Sequence, residues 1–269
     1  MKKTLLSLIV FTTICVYGQD AKKADECLKA GNFKCAETEY QLLVSKEKIQ
    51  KILSEHYVGL GMAQRRLGKP ALAIKSFESA IRINPMSVPA YVNMASVQSM
   101  KGDKQKALEY ITKGLKAEQE SPDLYLTRSR IYDDMGKKDL AKEDLNTILT
   151  FAPDNLYART GLASLKNKSG DLQGALKDYN QLISEKPESL LYNGRAEVYY
   201  KMKKQKEALA DVNKAIAVDA KFAPSHVTKA LILFSTGKGK EACSSLDKAV
   251  ALGYEKSLLA DEYGKCINK

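Results

Sequence analysis

Five cysteines and two histidines are the side chains here best suited to redox, metal or nucleophilic chemistry, and their spacing limits what they can do. His56 and His226 stand far apart with no cysteine or second histidine a turn away, so neither a nucleophile–base pair nor a two-histidine metal motif is available. No CxxC and no glycine-rich phosphate loop occurs. Asp133 and Asp134 are adjacent, but neighbours on a helix point in different directions and no further oxygen ligands stand nearby, which reads as a solvated helix end. These patterns predict no catalytic centre, no metal site and no cofactor. Cys15 lies in an apolar N-terminal run. The remaining four, Cys27, Cys35, Cys243 and Cys266, form an even set near the two ends of the chain and allow three disulfide connectivities.

The elements that must carry these residues are set by a period. Ala36, Ala73, Ala107, Ala141, Ala175, Ala208 and Ala242 recur at steps of 37, 34, 34, 34, 33 and 34 residues. Five positions upstream run Gly31, Gly68, Gly102, Gly136, Gly170 and Gly237, with Lys203 out of pattern between the last two. A fixed period without strand signals means one helical hairpin copied along the chain, each copy burying its apolar face against its neighbours. In residues 54–87, Tyr57, Leu60, Gly61 and Gln64 fall at helical spacing before Gly68, which ends the helix. Pro70 then opens a second helix that presents Ala73, Phe77 and Ala80, and Asn84-Pro85 closes it.

These residues resemble the tetratricopeptide repeat (TPR) family from about residue 19 to the end. The family's small residue at motif position 8 is matched by Ala24, Gly61, Ala95, Ser129, Ala163, Ala196 and Ala230. Its bulky residue at position 24 is matched by Tyr40, Phe77, Ile111, Leu145, Tyr179, Val212 and Leu246. The closing proline is present as Pro85, Pro153 and Pro187, whereas Gln119, Ala220 and Tyr254 depart from it. The usual tryptophan is replaced by Tyr57, Tyr91, Tyr125 and Tyr192. The resemblance implies an all-α, right-handed superhelical solenoid of about seven hairpins (approximately 19–50, 54–87, 88–121, 122–155, 156–188, 189–222 and 223–256) plus a capping helix over 257–267.

In this family the first helix of each repeat lines a concave groove, and its inward motif positions fall here on particular residues. In the early repeats these are Val58, Met62 and Arg65, then Val92, Ser96 and Ser99, then Leu126, Arg130 and Asp133. Later come Tyr157, Thr160 and Ser164, then Asn193, Glu197 and Tyr200, and finally Val227, Leu231 and Phe234. Partner binding is expected to draw on Met62, Arg65, Val92, Arg130, Tyr157, Asn193, Tyr200, Leu231 and Phe234, the largest of them standing at positions that packing is not expected to need. Some TPR proteins clamp a C-terminal carboxylate. Asn93 fits one member of that clamp, but Val58, Met62, Asp123 and Thr127 occupy the others, so such recognition is not expected.

The N-terminus reads as a signal peptide, residues 1–18: Lys2 and Lys3, an apolar run from Leu5 to Val16, and small enough residues for cleavage before Gln19. The run is too short for a stable membrane span, and Ile14 before Cys15 is bulkier than lipoprotein processing favours. Formal net charge is +11, and removal of the leader leaves 41 basic against 32 acidic residues, a balance that favours an acidic partner. No basic and aromatic patch argues for nucleic acid. The expectation is therefore a non-enzymatic protein-interaction scaffold, periplasmic or secreted, binding a protein or peptide segment. Alternatives are an accessory or regulatory subunit of an envelope enzyme and a weak glycan or peptidoglycan binder.

The cysteines acquire a pairing within this frame. Cys27 and Cys35 flank the first hairpin's turn, a spacing similar to that of Sel1-like repeats, and Cys243 and Cys266 fall on the last hairpin and the cap. The resemblance thus implies bonds Cys27–Cys35 and Cys243–Cys266. Leu258, Leu259, Tyr263 and Ile267 are expected to face the last hairpin.

Overall fold

The computed structural model describes residues 20–267. The signal-peptide reading lies outside the described residues. Among those residues every regular element is helical, and they group into two compact units meeting at Phe151 and Ala152.

The first unit holds four hairpins: α1 (20–29) with α2 (Phe33–Lys46), α3 (Gln50–Arg66) with α4 (Pro70–Ile83), α5 (Val88–Met100) with α6 (Lys104–Ala117), and α7 (Pro122–Asp134) with α8 (Lys138–Phe151). The second holds α9 (Leu156–Ser169) with α10 (Leu172–Glu185), α11 (Ser189–Lys201) with α12 (Gln205–Val218), and α13 (Ala223–Ser235) with α14 (Gly239–Ala251). It ends in a 3₁₀ turn (Lys256–Leu259) and α15 (Ala260–Ile267).

Local chemistry explains the turns. Gly68 adopts φ 70°, the left-handed region open to a residue without a Cβ. Its N–H donates to Arg65 O at 3.1 Å and the next N–H, Lys69, to Gln64 O at 2.9 Å, a Schellman closure. The 6→1 bond recurs as Asn32 N to Cys27 O, Asp103 N to Gln98 O, Lys137 N to Tyr132 O and Lys238 N to Leu233 O. Lys203 takes the same conformation at φ 59°, so the hairpin is kept where the glycine is missing. Side-chain caps on Asn32, Asp103, Asn155 and Asp171 accept the exposed N–H three residues on.

Packing follows the alternation of small and large residues. All seven ladder alanines are 0 or 1% exposed. A Cβ placed on Gly61 would come within 2.5 Å of the Phe77 ring, so the glycine is what lets α3 and α4 approach. Fully burying a side chain such as Phe77 contributes about 1.5–3 kcal/mol, and Tyr40, Phe77, Ile111, Leu145, Tyr179, Val212 and Leu246 give each hairpin one buried anchor.

Two details differ from the sequence reading. Helix α3 begins at Gln50 rather than near Ser54, and this added N-terminal turn absorbs the 37-residue step. The cap is a 3₁₀ turn followed by a short helix, not one helix from 257. Leu259 is buried against Ala242 and Leu246, but Leu258 is 65% exposed, because the 3₁₀ geometry turns it away from the hairpin. Tyr263 Oη donates to Asp247 Oδ1 at 2.9 Å. Disulfides join Cys27 to Cys35 and Cys243 to Cys266, with Cα atoms 5.8 Å apart in each.

Candidate functional site

Within the first unit α3 packs on α5 and α5 on α7, and within the second α9 packs on α11 and α11 on α13. The second helices of successive hairpins have no comparable contact. Closer spacing on the first-helix side makes that side the inner face of each unit.

On the first unit's inner face, Met62 is half-buried against Val58 and Phe77, and Val92 packs on the cluster containing Tyr91 and Ile111. Arg65 is also half-buried, with Nη1 3.9 Å from Met100 Sδ. Arg130 is exposed, its Nη2 3.5 Å from Thr127 Oγ1. Asn93 Nδ2 donates to its own helix at Pro89 O, 2.8 Å.

On the second unit's inner face, Tyr157 is 60% exposed. Leu231 is half-buried. Tyr200 packs against Ala196 and Val212, and Phe234 against Leu233 and Leu246, with Lys265 Nζ 5.6 Å from its ring centroid. The expectation that the large inward residues Arg65, Arg130, Tyr200 and Phe234 are not needed for packing is therefore corrected for Tyr200 and Phe234. Each lends part of its ring or chain to a core cluster and shows only its remaining edge, because the first helices stand too close for a side chain to project freely. Asn193 is only 5% exposed and is part of the interior, its Nδ2 donating to Glu197 Oε1 at 2.9 Å. Burial pushes the Glu197 carboxyl above its ordinary range, opposed by the Asn193 hydrogen bond and the nearby Lys168.

Both histidines sit in helix interiors of the stack, His56 at 7% and His226 at 4% exposure, and burial lowers the pKa of each. His226 Nε2 lies 3.2 Å from Ala220 O. Among the described residues no group of three or more His, Cys, Asp and Glu is placed to hold a metal ion, and no helix is long and apolar enough to cross a membrane.

Sequence reading missed a repeated ion pair. Arg128 Nη2 lies 2.6 Å and Nε 2.9 Å from the two oxygens of Asp144, and Arg195 meets Asp211 in the same forked way at 2.9 and 2.6 Å. Each guanidinium also stands within 6 Å of two tyrosine rings, Tyr125 and Tyr132 or Tyr192 and Tyr199. The signal was present as Tyr-x2-Arg-x3-Tyr with an aspartate sixteen residues after the arginine. These pairs tie the two helices of a hairpin together. They read as structural.

A tetratricopeptide repeat family model matches residues 55–85, 88–121, 122–155 and 190–222. The crystal structure of a tetratricopeptide repeat protein from Parabacteroides merdae superimposes with a TM-score of 0.69 at 26% identity, covering 93% of this chain and 98% of that one. The Heat shock protein sti1 homolog of Schizosaccharomyces pombe is 30% identical over 52% of this chain and 23% of its own length. A TPR repeat-containing protein of Methanocaldococcus jannaschii is 24% identical over 74% of this chain and 31% of its own. The chain thus spans a quarter to a third of the length of the curated relatives it matches. With the hairpin geometry above, these matches make the chain a tetratricopeptide repeat protein, and such proteins generally serve as protein-interaction scaffolds.

Proposed function

We propose that this protein is an exported, non-enzymatic interaction module whose first-helix faces bind a protein or peptide segment. The observation that carries this reading is the inner face of each unit: the first shows an exposed Arg130 and an edge of Met62, and the second an exposed Tyr157 and edges of Tyr200 and Phe234. Aromatic and arginine side chains on a rigid helical platform are the usual hot spots of interfaces. Arg65 and Arg130 give the first unit's face a preference for carboxylates, and hence for an acidic segment. Two disulfides and the leader-like residues 1–18 support a periplasmic or secreted location, since such bonds persist in oxidising compartments.

Charge reversal tests it. Arg130→Glu lies on an exposed side chain and is expected to weaken partner binding at least tenfold while leaving the melting temperature unchanged. If partner affinity ignores substitution of Arg65, Arg130, Tyr200 and Phe234 alike, the inner-face reading is wrong.

A further inference from the structure

In the second unit, the turns that join first to second helix within a hairpin lie at one edge, and the junctions between hairpins lie at the other. The α11–α12 turn carries Lys201, Lys203, Lys204 and Lys206; α13 packs on α11, and its turn into α14 carries Lys238 and Lys240, all of them exposed. Acids at this edge are fewer, since Asp171 caps α10 and only Glu207 and Glu241 remain on the other two turns. The junction edge instead carries Asp154, Glu185, Glu188 and Asp219. Two of the lysines stand where the fold prefers another residue. Lys203 holds the left-handed position, φ 59°, that glycine takes in the other hairpin turns. Lys204 is the N-cap of α12, where its side chain accepts no helix N–H and its charge adds to the positive end of the helix dipole. Both choices cost stability and both place a cation on the same turn, and strain kept at such a position points to function. Lys201 Nζ donates to Asn167 O at 3.0 Å and Lys238 Nζ stands 3.9 Å from Glu241. Among the described residues no ion pair or hydrogen bond holds the side chains of Lys203, Lys204, Lys206 or Lys240.

We propose that this lysine edge of the second unit is an electrostatic docking surface for an anionic phospholipid bilayer, which the protein meets peripherally. It is a second surface, independent of the inner faces read above as partner sites. The lysines stand on turns rather than in a groove, and neighbouring turns at one edge can meet a plane together. Ammonium groups are compact point charges that suit phosphates in any orientation, whereas forked recognition of a carboxylate takes arginine. Both arginines of this unit are already tied, Arg159 to Glu185 and Arg195 to Asp211. Neither lysine-rich turn carries an aromatic ring on which a nucleic-acid base would stack. Each lysine held near an anionic bilayer adds about fivefold in affinity.

The test is co-sedimentation of the exported protein with vesicles of phosphatidylglycerol and phosphatidylethanolamine in equal parts, against vesicles of phosphatidylcholine alone. The expected result is binding to the anionic vesicles only, lost at ~0.5 M salt. Lys203→Gly is expected to weaken it about fivefold, and Lys203→Gly with Lys204→Asp roughly a hundredfold. Both changes give the turn the residue its backbone prefers, so the melting temperature should rise while binding falls, which separates this role from a structural one. Lys221→Asp reverses an equal charge at the junction edge and is expected to leave binding within about twofold. Equal affinity for the two kinds of vesicle, binding that survives the salt, or a loss from Lys221→Asp as large as that from Lys204→Asp overturns the proposal. Capture of polyglutamate through the same lysines without vesicle binding also overturns it and reassigns the edge to an acidic chain. The inner-face reading stands or falls separately, because Arg130→Glu is scored on the protein partner.

Discussion

At the scale of single residues, the turn positions show where the repeat is under strain. Lys203 holds a backbone conformation that an L side chain adopts at a cost of roughly 1–2 kcal/mol, while six other hairpin turns place glycine there. Lys203→Gly is therefore expected to raise stability by about 1 kcal/mol, after the loss of unfolded-state restriction is deducted, and equilibrium denaturant unfolding reads it directly. Gly61 is the opposite case: Gly61→Ala drives a methyl into the Phe77 ring and is expected to lower stability by about 1–3 kcal/mol despite the better helix propensity of alanine. The histidines make a pH prediction. Burial lowers the pKa of His56 and His226 in the fold, whereas the unfolded chain protonates at about pH 6.5. Below that value the unfolded state binds more protons, so the stability these residues give is complete above pH 6.5 and is lost as the pH falls through their folded values. The melting temperature should fall between pH 7.5 and 5.5, and His226→Gln should flatten that slope; an unchanged slope would count against a neutral buried imidazole.

At the scale of elements, the two ends of the repeat array are the parts a stack leaves unsupported on one side. The Cys27–Cys35 bond joins α1 to α2 across 8 residues and the Cys243–Cys266 bond joins α14 to α15 across 23. Loop-closure entropy assigns them about 2.5 and 3.4 kcal/mol respectively. Cys266→Ser is expected to lower the melting temperature and to raise hydrogen exchange in α15 before the inner hairpins respond. Peptide mapping without reduction should recover the two cross-linked pairs, and four alkylated thiols from protein made in an oxidising compartment would refute them. The hairpins were legible in the sequence because glycine at each turn and alanine at each close approach are dictated by backbone geometry. The added turn of α3 was not, since the residues from Gln50 carry no start signal, and Ile49 offers no side-chain cap. Nor was the interior place of Asn193, because an inward motif position is open or closed according to the neighbouring helices' side chains, here those of α9 and α13. The Arg128–Asp144 and Arg195–Asp211 pairs lay in plain view as a repeated spacing, but it spans two helices and only the hairpin brings its members together.

At the scale of the molecule, each unit presents a face made of first helices, and the two faces differ in chemistry. The first carries Arg65 and Arg130, suited to carboxylates; the second carries the aromatic ring of Tyr157 and the aromatic edges of Tyr200 and Phe234. The excess of 41 basic over 32 acidic residues left without the leader should speed encounter with an acidic partner and make the association rate fall with added salt. The central claim, that partners dock on first helices, is tested most directly by placing a photoreactive benzoylphenylalanine at single sites and mapping cross-links to the bound partner. The account predicts adducts from Val92 and Tyr200 on the inner faces and none from Glu78 on α4 or Lys177 on α10, both exposed on second helices. Adducts from Glu78 or Lys177 with silence at Val92 and Tyr200 would contradict it.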